Sequence, residues 1–134
     1  MRPADWMQRL DRVLESWRTR PFVWGQSDCV HFALDVLQAV SAKNWQGVEL
    51  PAYETAVGAY RVLCRLRFHS LEEAVTAFLG ASIAPERAQR GDLVTLPTPQ
   101  GLALGVCTGL YAAAPGPHGL VFCKLHSIQH CWRT

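Results

Sequence analysis

Cys29 is the residue whose type and position best suit chemistry. It lies in the segment Pro21-Phe22-Val23-Trp24-Gly25-Gln26-Ser27-Asp28-Cys29-Val30-His31-Phe32-Ala33, where a turn becomes a helix. Ser27 or Asp28 can cap that helix, because a short side-chain oxygen accepts from an otherwise unpaired first-turn amide. A thiol at this end feels the positive pole of the helix dipole. Its pKa is then expected to fall, enlarging the thiolate fraction that a nucleophile needs. The competing reading is a small buried core residue, since a free cysteine behaves as a hydrophobe. His31 is two residues along the same helix, about 200° around it, so its side chain diverges from Cys29 and is not expected to act as its base.

Other chemistry-bearing residues form looser groups. The stretch from Cys123 to Cys131 holds His126 and His130 as well, all metal-ligand types. A zinc site wants two spaced pairs that converge tetrahedrally, and adjacent His130 and Cys131 would point to opposite faces of a strand, so no metal is expected. No cofactor is implied. The glycines lack phosphate-loop spacing. The chain has 5 tryptophans. Trp6 and Trp17 read as core, and Trp24, just before the Cys29 turn, is expected to pack beside that thiol. Trp45 falls in a predicted loop, where an aromatic either caps a core or serves as an interface anchor.

These residues need elements to hold them. Trp6, Leu10, Val13, Leu14 and Trp17 form one helical stripe; Cys29, Phe32, Ala33, Val36, Leu37 and Val40 form another. Residues 41–51 read as a loop. A third helix is expected to present Tyr53, Ala56, Val57, Tyr60, Leu63 and Cys64 on one side. A fourth opens at Ser70, with Glu73 completing a capping box and His69 just ahead of it, and stops at Gly80. Beyond, Arg90 to Leu96 reads as a turn feeding a strand that Pro97 and Pro99 end. Leu102 to Cys107 alternates with strand period, Leu110 to Ala114 is a weaker strand, Pro115 to Pro117 a turn, and His118 to Leu125 a further strand. Helices over 1–80 followed by an antiparallel meander over 91–134 indicate one α+β domain.

With 134 residues the chain suits a single domain, 1–134. Charged residues make up 18% and the net charge is +2, too little to argue for nucleic acid, and the sparse charge is compatible with a surface covered by a partner. Arg61, Arg65 and Arg67 read as a solvated face. The 5 cysteines have no regular spacing, so reduced thiols are expected, with Cys107 and Cys123 as candidate neighbours on adjacent strands. No signal peptide or membrane-spanning run is evident.

Three motifs occur in order: Asp28-Cys29 opening a helix, Arg90-Gly91-Asp92-Leu93-Val94 opening a strand, and Leu104-Gly105-Val106-Cys107-Thr108-Gly109 forming the next. This order resembles the NlpC-type branch of the papain-like cysteine peptidases over positions 20 to 125. The pattern in Phe22–Ala33, Ala103–Gly109, Gly119–Phe122 and Trp132-Arg133 is similar to a branch of that superfamily found in phage and prophage tail gene clusters. The resemblance implies a papain-like α+β fold, with N-terminal helices on a C-terminal antiparallel sheet, and Cys29 as nucleophile. It also marks a departure. Aligning Gly105 with the family glycine puts Ala103 where the catalytic histidine belongs, and the polar residue that would orient it falls near Ala112 or Ala113. Alanine takes no proton, so the base is missing.

The resemblance therefore implies a degenerate peptidase acting structurally at a phage tail tip or baseplate, docked beside hub-like tail proteins. Its place would be the virion tail, or the bacterial host cytoplasm during assembly, with no nucleic-acid partner. The alternative is an active cysteine hydrolase of peptidoglycan peptides, with Cys29 as nucleophile and His118, near the third family position, as substitute base. Trp24, Asp28 and Trp45 are the accompanying candidates for binding.

Overall fold

The computed structural model describes residues 2–45, 48, 50–99 and 101–134. Helix α1 spans Trp6–Trp17 and α2 spans Cys29–Val40. Their apolar stripes meet as periodicity demands: Leu10 and Trp17 pack with Phe32, Val36 and Val40, the Trp17 and Phe32 rings edge to face at 5.2 Å. A buried Trp17 needs an acceptor for its indole N–H, and Asp35 supplies one at 2.7 Å. Helix α3, Ala56–Arg65, is capped by Thr55, and α4, Leu71–Leu79, by Ser70. The Ser70 hydroxyl accepts from Glu73 N–H at 3.1 Å, while the Glu73 carboxylate reaches back to the His69 amide at 3.3 Å. Gly80 closes α4 at φ +90°, a backbone angle that favours glycine.

Five strands follow: β1 Leu93–Thr98, β2 Gly101–Cys107, β3 Tyr111–Gly116, β4 Gly119–Lys124 and β5 His130–Trp132. They form one sheet in the order β4-β3-β2-β1-β5, with every pairing antiparallel. Helices α1 and α2 cover one face, burying Val106 and Ala113. On the other, Val94, Leu96, Cys107, Ala112, Ala114 and Cys131 are covered by Ile83, Ala88, Leu125 and Ile128, around two short 3-10 turns, Pro85–Arg87 and Leu125–Ser127. The architecture is thus α+β, with N-terminal helices on a C-terminal antiparallel sheet. Among the described residues no helix is long and apolar enough to cross a membrane.

The sheet departs from the expected meander in several places. The chain beyond Gln129 is a fifth strand that crosses over to pair with β1, Leu93 opposite Trp132. Pro97 lies inside β1, opposite Leu102, and Pro115-Gly116 lies inside β3, so the turn is Pro117-His118. Cys107 and Cys123 are not on adjacent strands, because Ala112 of β3 pairs with both. Helix α3 turns Ala59, Val62 and Leu63 inward and leaves Val57 and Cys64 exposed, the reverse of part of the expected face; Tyr53 precedes the helix. Of the predicted loop, Gln46, Gly47 and Glu49 lie outside the described residues.

Candidate functional site

The turn before α2 is organised by Asp28, whose carboxylate is fully buried. Its Oδ1 accepts from the His31 amide at 3.0 Å, so Asp28 is the helix cap, while Ser27 donates to the Pro21 carbonyl instead. The same Oδ1 lies 2.6 Å from His31 Nδ1, and Oδ2 accepts from the Gly25 amide at 2.9 Å and from the Tyr53 hydroxyl. An ionised carboxylate only accepts, so His31 Nδ1 carries the hydrogen. Gly25 has φ +79°, and a Cβ there would meet the Tyr53 carbonyl at 1.8 Å; the turn requires glycine. Burial opposes ionisation of Asp28, but the bonds from Tyr53, His31 and the two amides outweigh it and hold the carboxyl below its ordinary range. Burial, reinforced by Asp28, pushes the Tyr53 phenol well above its ordinary value.

Cys29 follows at the first position of α2, 9% exposed. Its thiol is not activated. Burial pushes it up to about 11, and the adjacent Asp28 charge adds to the effect, while the Leu104 backbone and the first amides of α2 pull the other way with less force. The expected lowering fails because removing a thiolate from water costs more than the end of one helix returns. The thiol faces a cavity of about 380 Å³ between α2, α3, α4 and the start of β2. Its walls are apolar: Ala33 and Leu37 from α2, Val62 and Leu63 from α3, Val75 and Phe78 from α4.

No histidine lines that cavity among the described residues. Strand β2 contributes Leu102 and Leu104 to it, while Ala103 packs against the cluster that contains Cys29 without lining the cavity. His118 sits exposed in the β3–β4 turn, beside Leu120, whose amide donates to the Arg18 carbonyl past the end of α1. His31 is committed to Asp28. Thus Cys29 and His118 are not brought together. Trp24 does join Cys29 at the cavity wall, as its position in the turn suggests, held edge to face on Phe22 at 4.8 Å. Trp45 is buried on the same wall, its ring 6.3 Å from Phe78.

Two further polar clusters had no signature in the sequence. His130 Nε2 lies 2.5 Å from Glu72 of α4, its Nδ1 lies 2.7 Å from the Thr95 hydroxyl of β1, and its ring stacks on Trp132. Thr95 is fully buried, so its hydroxyl is not presented to a substrate. On the far side of the sheet, buried Asp92 accepts from Arg2 at 2.9 Å, Arg133 at 3.1 Å and the Gln89 amide at 2.9 Å. Burial and the Asp92 charge push the neighbouring Cys131 thiol up to about 12. All five cysteines are free. Among the described residues no group of three or more His, Cys, Asp or Glu side chains is placed to hold a metal ion; His130 and Cys131 point to different partners.

The family whose pattern matches this chain is a domain of unknown function, DUF6950, over residues 1–134. The chain belongs to that family. No curated protein matches it.

Proposed function

We propose that this chain is a phage or prophage tail-tip protein, built on a papain-like, NlpC-type scaffold and working by docking rather than by hydrolysis. One observation carries the non-catalytic part: the Cys29 thiol is buried in apolar surroundings that disfavour its ionisation, and among the described residues no imidazole lies on its cavity wall. At neutral pH a thiol with a pKa of about 11 is thiolate in roughly one molecule in ten thousand. With no base to take its proton, that leaves no competent nucleophile. The tail-tip part is supported by the order and spacing of the Asp28-Cys29, Arg90–Val94 and Ala103–Gly109 motifs. The surface agrees with it. Strand β4 is a sheet edge on which Val121 and Phe122 stand 48% and 52% exposed, close to exposed Tyr111 of β3. An apolar, unpaired edge of this kind is what a neighbouring strand or apolar face covers in an assembly.

The test is made in a phage carrying this gene. Cys29→Ala should leave infectivity unchanged, whereas Phe122→Glu should reduce incorporation of the protein into particles at least tenfold. An infectivity loss with Cys29→Ala in fully assembled particles would return the hydrolase to first place. On the purified protein, iodoacetamide at neutral pH should label Cys29 far more slowly than a free thiol, and His118→Ala should not change the rate.

A further inference from the structure

Helix α3 spends little of its own surface on the domain. Of its 10 residues only Val62 is buried, and it borders the cavity of about 380 Å³. A helix this short draws its stability from tertiary packing rather than from propensity. Its outer face is nevertheless furnished for contact. At about 100° per residue, Val57, Tyr60 and Cys64 fall in one stripe on the side opposite Val62. Val57 and Tyr60 are 60% and 62% exposed, and the Cys64 thiol is exposed as well. Arg61 and Arg65, a turn apart, run along one flank of that stripe, and Arg67 stands just past the helix end, all three exposed. Among the described residues none of the three meets an acidic side chain, and α3 itself holds no Asp or Glu. Arg67 also closes the helix, its amide donating to the Cys64 carbonyl at 3.0 Å and that of Phe68 to the Leu63 carbonyl at 3.0 Å. It does so at φ +65°, the one non-glycine among the described residues in the left-handed region. Glycine fills that position at less cost, so a strained and exposed arginine there points to a use for its charge.

We infer that the outer face of α3 docks an amphipathic helix of a partner protein, one whose apolar stripe is flanked by carboxylates a turn apart. Val57, Tyr60 and Cys64 have the three-then-four spacing by which one helix seats on another. Arg61 and Arg65 supply the charges that fix partner and register at the edge of such a seam, and a guanidinium takes a carboxylate through two hydrogen bonds. Tyrosine and arginine are also the side chains that anchor interfaces. The charge pattern rules against other occupants. A second copy laid antiparallel on α3 would set arginine against arginine. An anionic membrane wants Trp, Phe or Leu along the apolar face, where α3 offers Val57, Tyr60 and Cys64. A nucleic-acid strand wants a row of stacking rings, and this face has one. The assignment does not rest on the tail-tip reading, since Phe122→Glu and Cys29→Ala leave this face intact.

The test is a titration of the full chain with a synthetic helical peptide of about three heptads, with leucines in its stripe and glutamates a turn apart along one flank. A twin carries lysines in place of the glutamates. The glutamate peptide should bind saturably at low salt and at least tenfold more tightly than the twin. It should slow iodoacetamide labelling of exposed Cys64 at least fivefold and leave Cys123 of β4 unchanged. Arg61→Glu combined with Arg65→Glu should reverse the preference, weakening the glutamate peptide at least tenfold and admitting the lysine twin. Val57→Asp, at an exposed site, should abolish binding of the glutamate peptide while far-UV circular dichroism stays unchanged. No saturable binding, equal binding of both peptides, or a preference that the charge reversal leaves unmoved would each overturn the assignment. So would tighter binding to phosphatidylglycerol vesicles or to a single-stranded oligonucleotide, or protection of Cys64 by self-association of the chain alone. If a variant fails to fold, the two peptides and the Cys64 protection on the wild type still decide.

Discussion

Asp28 takes hydrogen bonds from two backbone amides, an imidazole and a phenol, and this crowding decides what its neighbours can do. It draws the His31 ring to itself and sets a negative charge behind the Cys29 thiol. Replacing Asp28 with Asn removes the charge and turns one acceptor into a donor facing other donors. Asp28→Asn should therefore lower stability by about 3 kcal/mol, read from urea unfolding at neutral pH. The acid limb follows from the direction of the shift. In the unfolded chain the carboxyl takes its proton near the ordinary value of about 3.9, and in the folded chain only at lower pH. The stabilisation is thus complete above the ordinary value and is lost as pH falls through the lowered one. The wild type should lose stability across that acid window, and Asp28→Asn should lose less. A cap at Ser27 or Asp28 was readable in the sequence, because a short polar side chain before an apolar stripe suits that place; the choice of Asp28 over Ser27 was not. The state of the thiol was not, since it depends on how deeply α3, α4 and β2 bury it, and residues distant in sequence supply that depth.

At the scale of elements, legibility followed the range of the contacts. The α1 and α2 stripes repeat within a few residues and were readable. Helix α3 carries small apolar residues on more than one side, so periodicity could not choose between the side with Val57 and Cys64 and the side with Ala59 and Val62. Strand β5 is three residues long, and its partner β1 lies far back in the chain. The join between α4 and the sheet was equally hidden. It rests on His130 bridging Glu72 and Thr95, and on the Trp132 indole donating to Thr76 at 3.1 Å. His130→Ala should cost about 1–2 kcal/mol and speed amide hydrogen exchange in α4 more than in α1. The β2–β3 contact sets a tighter limit. A Cβ at Gly105 would stand 2.4 Å from the Ala113 carbonyl oxygen, so Gly105→Ala should force these strands apart and destabilise by about 2 kcal/mol, measured by thermal unfolding.

Over the whole molecule, Asp92 ties distant parts of the chain together. Arg2 donates to it and to the Arg90 carbonyl, stacks over Trp6 at 4.5 Å, and meets the Thr134 hydroxyl, which in turn donates to the Gly91 carbonyl. Arg133 approaches the same carboxylate from a more open position, its side chain 48% exposed against 18% for Arg2. Water substitutes more readily for the outer partner. Arg2→Ala should therefore destabilise more than Arg133→Ala, by about 2 kcal/mol against less than 1 in chemical denaturation. The Arg-Gly-Asp turn was readable as the start of a strand, but its aspartate as an anchor for two remote arginines was not.

The sheet order also sets a sequence of events for folding. Strand β1 sits between β2 and β5, and buried Leu93 stays half-covered until Trp132 is laid against it. The β2–β4 hairpins join near neighbours in the chain, but one margin of β1 waits for a partner far along it. That margin closes only when His130–Trp132 docks, so a chain in which this last step is slow presents a sticky edge to chaperones and proteases.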